Sequence, residues 1–171
     1  MNQSIHIIDL LLYLVGNPRE VFAYTDLLTH TGLEVEDAAC AAIRFESGAM
    51  GVIEASTSCA PGFPRKLEIS GQKGSIVLED DRLIRWQFIE ENPEDQEIRR
   101  KGEISEGLQS GAGDPKAAGY KGHKQQFQDM ARAILENSEP LISGREGRRA
   151  LELICGIYES ARSGQPYKFV K

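Results

Sequence analysis

The stretch Met1-Asn2-Gln3-Ser4-Ile5-His6-Ile7-Ile8-Asp9-Leu10-Leu11-Leu12-Tyr13-Leu14-Val15-Gly16 sets the frame for the rest of the chain. At about 100° per residue, Asn2, His6, Asp9 and Tyr13 fall within roughly 60° of one another on a helical wheel, and apolar residues cover the remainder. A helix apolar on nearly every side is expected inside a protein, and a polar stripe on it needs partners. Gly16, followed by Asn17-Pro18, ends the helix, because glycine tolerates the left-handed turn and proline cannot continue the pattern.

Outward from this helix the pattern changes to strands. Glu20-Val21-Phe22-Ala23-Tyr24-Thr25-Asp26-Leu27-Leu28 is rich in strand formers, and Gly32 marks the loop after it. Residues 37–45 and 49–57, joined by Glu46-Ser47-Gly48, predict a β-hairpin. Its side chains are small: Ala39, Ala41, Ala42, Ala49, Gly51 and Ala55 let a helix layer or a second subunit approach the sheet closely. Pro61-Gly62-Phe63-Pro64 breaks the run. Arg65-Lys66-Leu67-Glu68-Ile69-Ser70, Ser75-Ile76-Val77-Leu78-Glu79 and Arg82-Leu83-Ile84-Arg85-Trp86-Gln87-Phe88 then alternate across turn residues as a three-strand meander.

Residues 90–118 are polar and lack an apolar period, which predicts a long mobile loop. Phe127, Met130, Ala131, Ile134 and Leu135 restore helical spacing between Tyr120 and Asn137. Ser143-Gly144-Arg145-Glu146 matches a capping box and opens another helix, with Ala150, Leu151, Leu153, Ile154 and Ile157 on its apolar face. Gly164-Gln165-Pro166 stops it, and Tyr167-Lys168-Phe169-Val170 fits a last strand. The order predicts an α+β fold: one domain over residues 1–171, with a mainly antiparallel open sheet of about six strands and helices on one face.

Composition narrows the function classes. In 171 residues, 40% hydrophobic and 27% charged content is that of a soluble globular domain. A net charge of −6 and a pI near 5.2 exclude nucleic acid and anionic membrane as expected partners, leaving small molecules and other proteins. The apolar run at residues 7–15 is broken by Asp9 and is far shorter than the roughly 20 residues a bilayer requires. Cys40, Cys59 and Cys155 are odd in number and widely spaced, which points to a reducing, cytoplasmic setting.

His6 is the residue with a mechanism. Flanked one turn away by Asn2 and Asp9, its imidazole can be held in one tautomer and can exchange a proton with a substrate hydroxyl near neutral pH. The same spacing also fits a core histidine that only hydrogen-bonds a carbonyl. His6 and Asp9 can reach one ion, yet neither His30 nor His123 sits in a ligand-like pair, so no metal is expected. Gly71-Gln72-Lys73-Gly74-Ser75 lacks the glycine spacing and the following helix of a phosphate loop. Gly111-Ala112-Gly113-Asp114-Pro115-Lys116 lacks the third glycine and the leading strand of a dinucleotide fingerprint, so no cofactor-binding residue is expected in this chain.

Several blocks occur in a fixed order: Asn2-Gln3-Ser4-Ile5-His6-Ile7-Ile8-Asp9, Val35-Glu36-Asp37-Ala38-Ala39, Glu46-Ser47-Gly48-Ala49-Met50-Gly51, Ile69-Ser70-Gly71-Gln72-Lys73-Gly74-Ser75-Ile76, and Pro140-Leu141-Ile142-Ser143-Gly144-Arg145-Glu146-Gly147 running on to Ala161. Together they resemble the C-terminal half of the glucose-fructose oxidoreductase, inositol dehydrogenase and rhizopine-catabolism (Gfo/Idh/MocA) family. The resemblance implies a dihydrodipicolinate-reductase-like C-terminal domain of an NAD- or NADP-dependent dehydrogenase of sugars, sugar nucleotides or cyclitols. It implies a proton shuttle at His6 and substrate contacts at Asn2, Asp9, Arg65, Tyr120 and His123. Asn2 departs from the aspartate many members carry. The resemblance further implies that the Rossmann domain and its Lys-Pro dipeptide lie in another part of a longer protein, that this chain alone neither binds the cofactor tightly nor turns over, and that copies assemble through the sheet face. The alternative is a stand-alone, non-catalytic binding or assembly module of the same fold.

Overall fold

The structure is a computed structural model and describes residues 4–80, 82–104 and 121–170. The elements run α1 (Ile5–Val15), β1 (Pro18–Asp26), β2 (Ala38–Phe45), β3 (Met50–Ser56), β4 (Lys66–Ser70), β5 (Gly74–Glu79), β6 (Arg82–Phe88), α2 (Pro93–Ile104), α3 (Lys121–Glu136), α4 (Gly144–Ser163) and β7 (Tyr167–Lys168). They form two compact units, Met1–Gly62 with Leu141–Lys171, and Phe63–Pro140. The fold is α+β, with every strand pair among the described residues antiparallel and the sheets open. The expected strands hydrogen-bond in two sets, four in the first unit and three in the second.

The first unit carries the sheet β3-β2-β1-β7 with α1 and α4 packed on one face. The register pairs Val21 with Ile43, Ala23 with Ala41, and Ala41 with Ile53, so alternate residues of adjacent strands point to the same side. On that side Val21, Ala23, Ala41, Ile43 and Phe45 bury against Ile8 and Leu12 of α1 and against Ala150, Leu153, Ile154 and Ile157 of α4. Both helices meet the sheet with residues spaced three and four apart, the spacing that lines one face of a helix. Of the small side chains predicted for the hairpin, Ala41 belongs to this core and Ala39 is buried.

Local chemistry sets the helix ends. Gly16 adopts φ +101° and returns its N–H to Leu12 O at 3.0 Å. The Ser143 hydroxyl accepts the Glu146 amide at 3.3 Å, the expected cap, and Gly164 closes α4 in the left-handed region at φ +66°. α1 is less buried than its composition implies. Only Ile8 and Leu12 are buried, while Tyr13 is 77% exposed and Leu14 43% exposed, because in this unit the sheet and α4 cover only one side of it.

The second unit is the meander β4-β5-β6 with α2 against β6. Residues 93–104, read from sequence as part of a loop, are helical, which corrects that reading; residues 105–118 lie outside the described residues. The helix needs no apolar period to start. Pro93 stands at its first position, and the Asp95 carboxylate accepts the Asn92 amide at 2.6 Å, one half of a capping box. The other Asp95 oxygen accepts the Trp86 indole N–H at 2.7 Å, tying the helix to β6. These two bonds hold the Asp95 carboxyl below the ordinary carboxylate range. α3 has Ala133 buried at 3%, and Phe127 and Ile134 lie largely exposed along it.

Candidate functional site

α1 positions the candidate site. Its apolar residues at Ile8 and Leu12 turn inward, and the same helical period brings His6, Asp9 and Tyr13 to a different side, where all three are exposed. The polar stripe predicted from sequence is therefore present from His6 to Tyr13. It faces solvent rather than partners within its unit. Among the described residues no hydrogen bond joins His6 to Asp9. An exposed imidazole with an acidic group one turn away can reach an external hydroxyl, which a core histidine cannot.

The other expected site residues fall in different places. Asn2 and Tyr120 lie outside the described residues. Arg65 and His123 belong to the Phe63–Pro140 unit. There Arg65 is engaged with its own neighbours: its Nε stands 3.4 Å from Asp80 Oδ1, its amide donates to the same oxygen at 3.2 Å, and Asp80 N–H donates to Arg65 O at 2.7 Å. His123 is exposed in the first turn of α3. Of the expected residues, only His6 and Asp9 are shown sharing a face.

Sequence reading missed the residues that hold α1 and the sheet in place. Arg149 of α4 donates from Nη2 to Leu12 O at 3.1 Å, at the carbonyl end of α1, and its Nη1 pairs with Glu146 at 2.8 Å. The Glu146–Arg149 spacing of three was a visible signal for the ion pair, but not for the reach to α1. Asp37, 3% exposed, accepts the amides of Leu28, Thr29 and His30 at 2.7–2.9 Å, with His30 Nδ1 also 2.9 Å away. Burial alone would raise its carboxyl, but these donors hold it well below the usual carboxylate range. Tyr158 donates to Glu36 at 2.9 Å, and burial together with that carboxylate pushes its hydroxyl up to about 12.

Among the described residues no group of three or more His, Cys, Asp and Glu is placed to hold a metal, and no helix is long and apolar enough to cross a membrane. The model of the oxidoreductase family C-terminal alpha/beta domain, Gfo/Idh/MocA, matches residues 1–169. The chain belongs to this family.

Relatives of this oxidoreductase domain are larger proteins. The myo-inositol 2-dehydrogenase of Thermotoga maritima is 33% identical over 86 residues, 48% of the chain and 26% of the relative. The uncharacterized oxidoreductase YrbE of Bacillus subtilis is 26% identical over 97% of the chain and 46% of its own length. The chain thus spans less than half of the curated relatives it matches. Among solved structures, the WlbA dehydrogenase of Bordetella pertussis in complex with NADH and UDP-GlcNAcA matches all of the chain and 46% of its own, with 31% identity and a TM-score of 0.80. A second WlbA dehydrogenase, from Chromobacterium violaceum and likewise in complex with NADH and UDP-GlcNAcA, gives 29% identity and 0.79 over 99% of the chain and 45% of its own.

Proposed function

We propose that this C-terminal domain serves an NAD- or NADP-dependent dehydrogenase of a sugar-like hydroxyl, a sugar nucleotide first among the candidates, and that His6 is its proton shuttle. The observation that carries this is the exposed His6–Asp9 stripe on α1, in a chain whose family is one of oxidoreductases and two of whose solved relatives are in complex with NADH and UDP-GlcNAcA. The nicotinamide, held by a nucleotide-binding domain outside this chain, supplies the hydride acceptor. His6 takes the carbinol proton as the carbon is oxidised, and Asp9 lies one turn further along α1 on the same exposed side. Asn2, Arg65, Tyr120 and His123 are proposed as substrate contacts. The setting is cytoplasmic, in keeping with three exposed free thiols.

The test is His6→Ala in the full-length enzyme. Turnover should fall by about 10²–10⁴-fold, the usual worth of a positioned acid–base group, with cofactor affinity little changed. Unchanged turnover overturns the assignment.

A second element of the reading is assembly. The sheet face turned away from α1 and α4 presents Phe22, Tyr24, Cys40, Ala42, Met50 and Val52, with Tyr24 65%, Met50 78% and Val52 84% exposed. That face also carries Glu54 and the Glu20–Arg44 ion pair, and its mix of exposed apolar residues and charges of both signs is suited to a second copy of the same sheet. A non-catalytic assembly module would keep that face and lose nothing on mutation of His6.

A further inference from the structure

We propose that Arg149 is a positioning residue for catalysis, fixing α1 and through it His6; the inference rests on the proton-shuttle reading above. α1 does little to hold itself. Its N-cap Ser4 makes no side-chain cap bond, its first turn has no acidic residue and its last turn no basic one. Two of its side chains, Ile8 and Leu12, are fully buried, and Ile5, Leu11 and Val15 pack partly buried against the same core. Apolar contacts of this kind are nondirectional, so they resist separation from the core better than sliding along the helix axis.

Arg149 supplies the missing restraint. One arm of its guanidinium donates to Leu12 O in the last turn of α1, and the other is anchored on Glu146. Glu146 stands in the first turn of α4, where its amide is capped by Ser143. The start of α4 is therefore linked through one rigid, planar group to the end of α1. A lysine ammonium is a single point donor on a flexible stem and does not reproduce the fork. The positive charge also lies where the α1 dipole favours it. His6 sits six residues earlier on the same helix, about 9 Å along its axis. A helix of 11 residues moves as a body, so an axial shift at Leu12 becomes the same shift at the imidazole.

The experiment is a double-mutant cycle in the full-length enzyme, measuring kcat and KM for Arg149→Met, His6→Ala and the pair. Arg149→Met should lower kcat by about tenfold with KM nearly unchanged, within the roughly hundredfold that a misplacement of about 1 Å can cost. Arg149→Lys should restore only part of the loss. In the His6→Ala background Arg149→Met should cost almost nothing more, because the group it positions is gone. The same fractional loss in both backgrounds would mark Arg149 as structural only, and an unaltered kcat in the single variant would also overturn the proposal. If Arg149→Met fails to fold, Arg149→Lys carries the same cycle. If His6→Ala alone leaves turnover intact, the proton-shuttle reading falls and takes this inference with it; if only the Arg149 arms fail, that reading stands.

Discussion

The hydroxyl of Ser160, completely buried in α4, accepts the Ala23 amide of β1 at 3.1 Å and donates to Gln165 O at 2.7 Å. β7 pairs with β1 only as far as Tyr167 opposite Val21, and the next residue back, Pro166, offers no N–H. Ser160 takes the place of the ladder partner that β7 is too short to supply. Ser160→Ala should leave a buried amide and a carbonyl unsatisfied and reduce the unfolding free energy by about 1–3 kcal/mol. Urea denaturation of the chain measures it, and an unmoved midpoint would contradict this account.

Gly156 sits on the buried face of α4, where an added Cβ would lie 2.7 Å from Phe169 Cζ and 2.9 Å from Tyr167 Cδ1. At an exposed helix position, glycine to alanine gains up to about 1 kcal/mol from propensity. Here the two rings, themselves in edge-to-face contact at 5.0 Å, must give way, and overpacking costs about 1–3 kcal/mol. Gly156→Ala should therefore destabilise. A rise in melting temperature would show that the C-terminal segment moves aside freely.

Asp37 ties the β1–β2 connection through three backbone amides. Its carboxyl is depressed in the folded state, so its contribution to stability is complete above the unfolded value of about 4 and is lost progressively as pH falls below it. Comparing melting temperature against pH for the wild type and Asp37→Asn should show a gap near neutrality that narrows under acid. A gap independent of pH would remove the charged form from the explanation.

Val52, at 84% exposure, is the most exposed large apolar residue on the open face of the first sheet. A glutamate there would put a charge into any sheet-to-sheet contact without touching the buried face. Val52→Glu should turn an oligomer into a smaller species in sedimentation while its circular dichroism stays the same. If the wild type is itself monomeric at micromolar concentration, assembly through this face is refuted.

Much of the fold could be read locally. The hairpin followed from alternation and small side chains around Glu46-Ser47-Gly48, and α4 from the Ser143–Glu146 cap, since both signals act within a few residues. α2 is not legible in the same way, because Pro-Glu-Asp-Gln-Glu carries no apolar period, although Asn92-Pro93-Glu94-Asp95 is itself a start signal. What completes that helix is Trp86, nine residues from Asp95, and a window of local pattern does not register the bond. The Arg65–Asp80 pair, across the β4–β5 hairpin, is another contact that no local pattern registers.

Sequence by itself determined which side chains travel together. The helical period puts His6, Asp9 and Tyr13 on one side of α1 and Ile8 and Leu12 on another, because covalent geometry and the 3.6-residue turn leave no alternative. Tertiary structure decided what each face meets. Burial of Ile8 and Leu12, exposure of the His6 stripe, and the reach of Arg149 across 137 positions to Leu12 O depend on how α4 lies on the sheet. That packing is a sum of many weak, nondirectional contacts between residues far apart in the chain, so no short stretch encodes it.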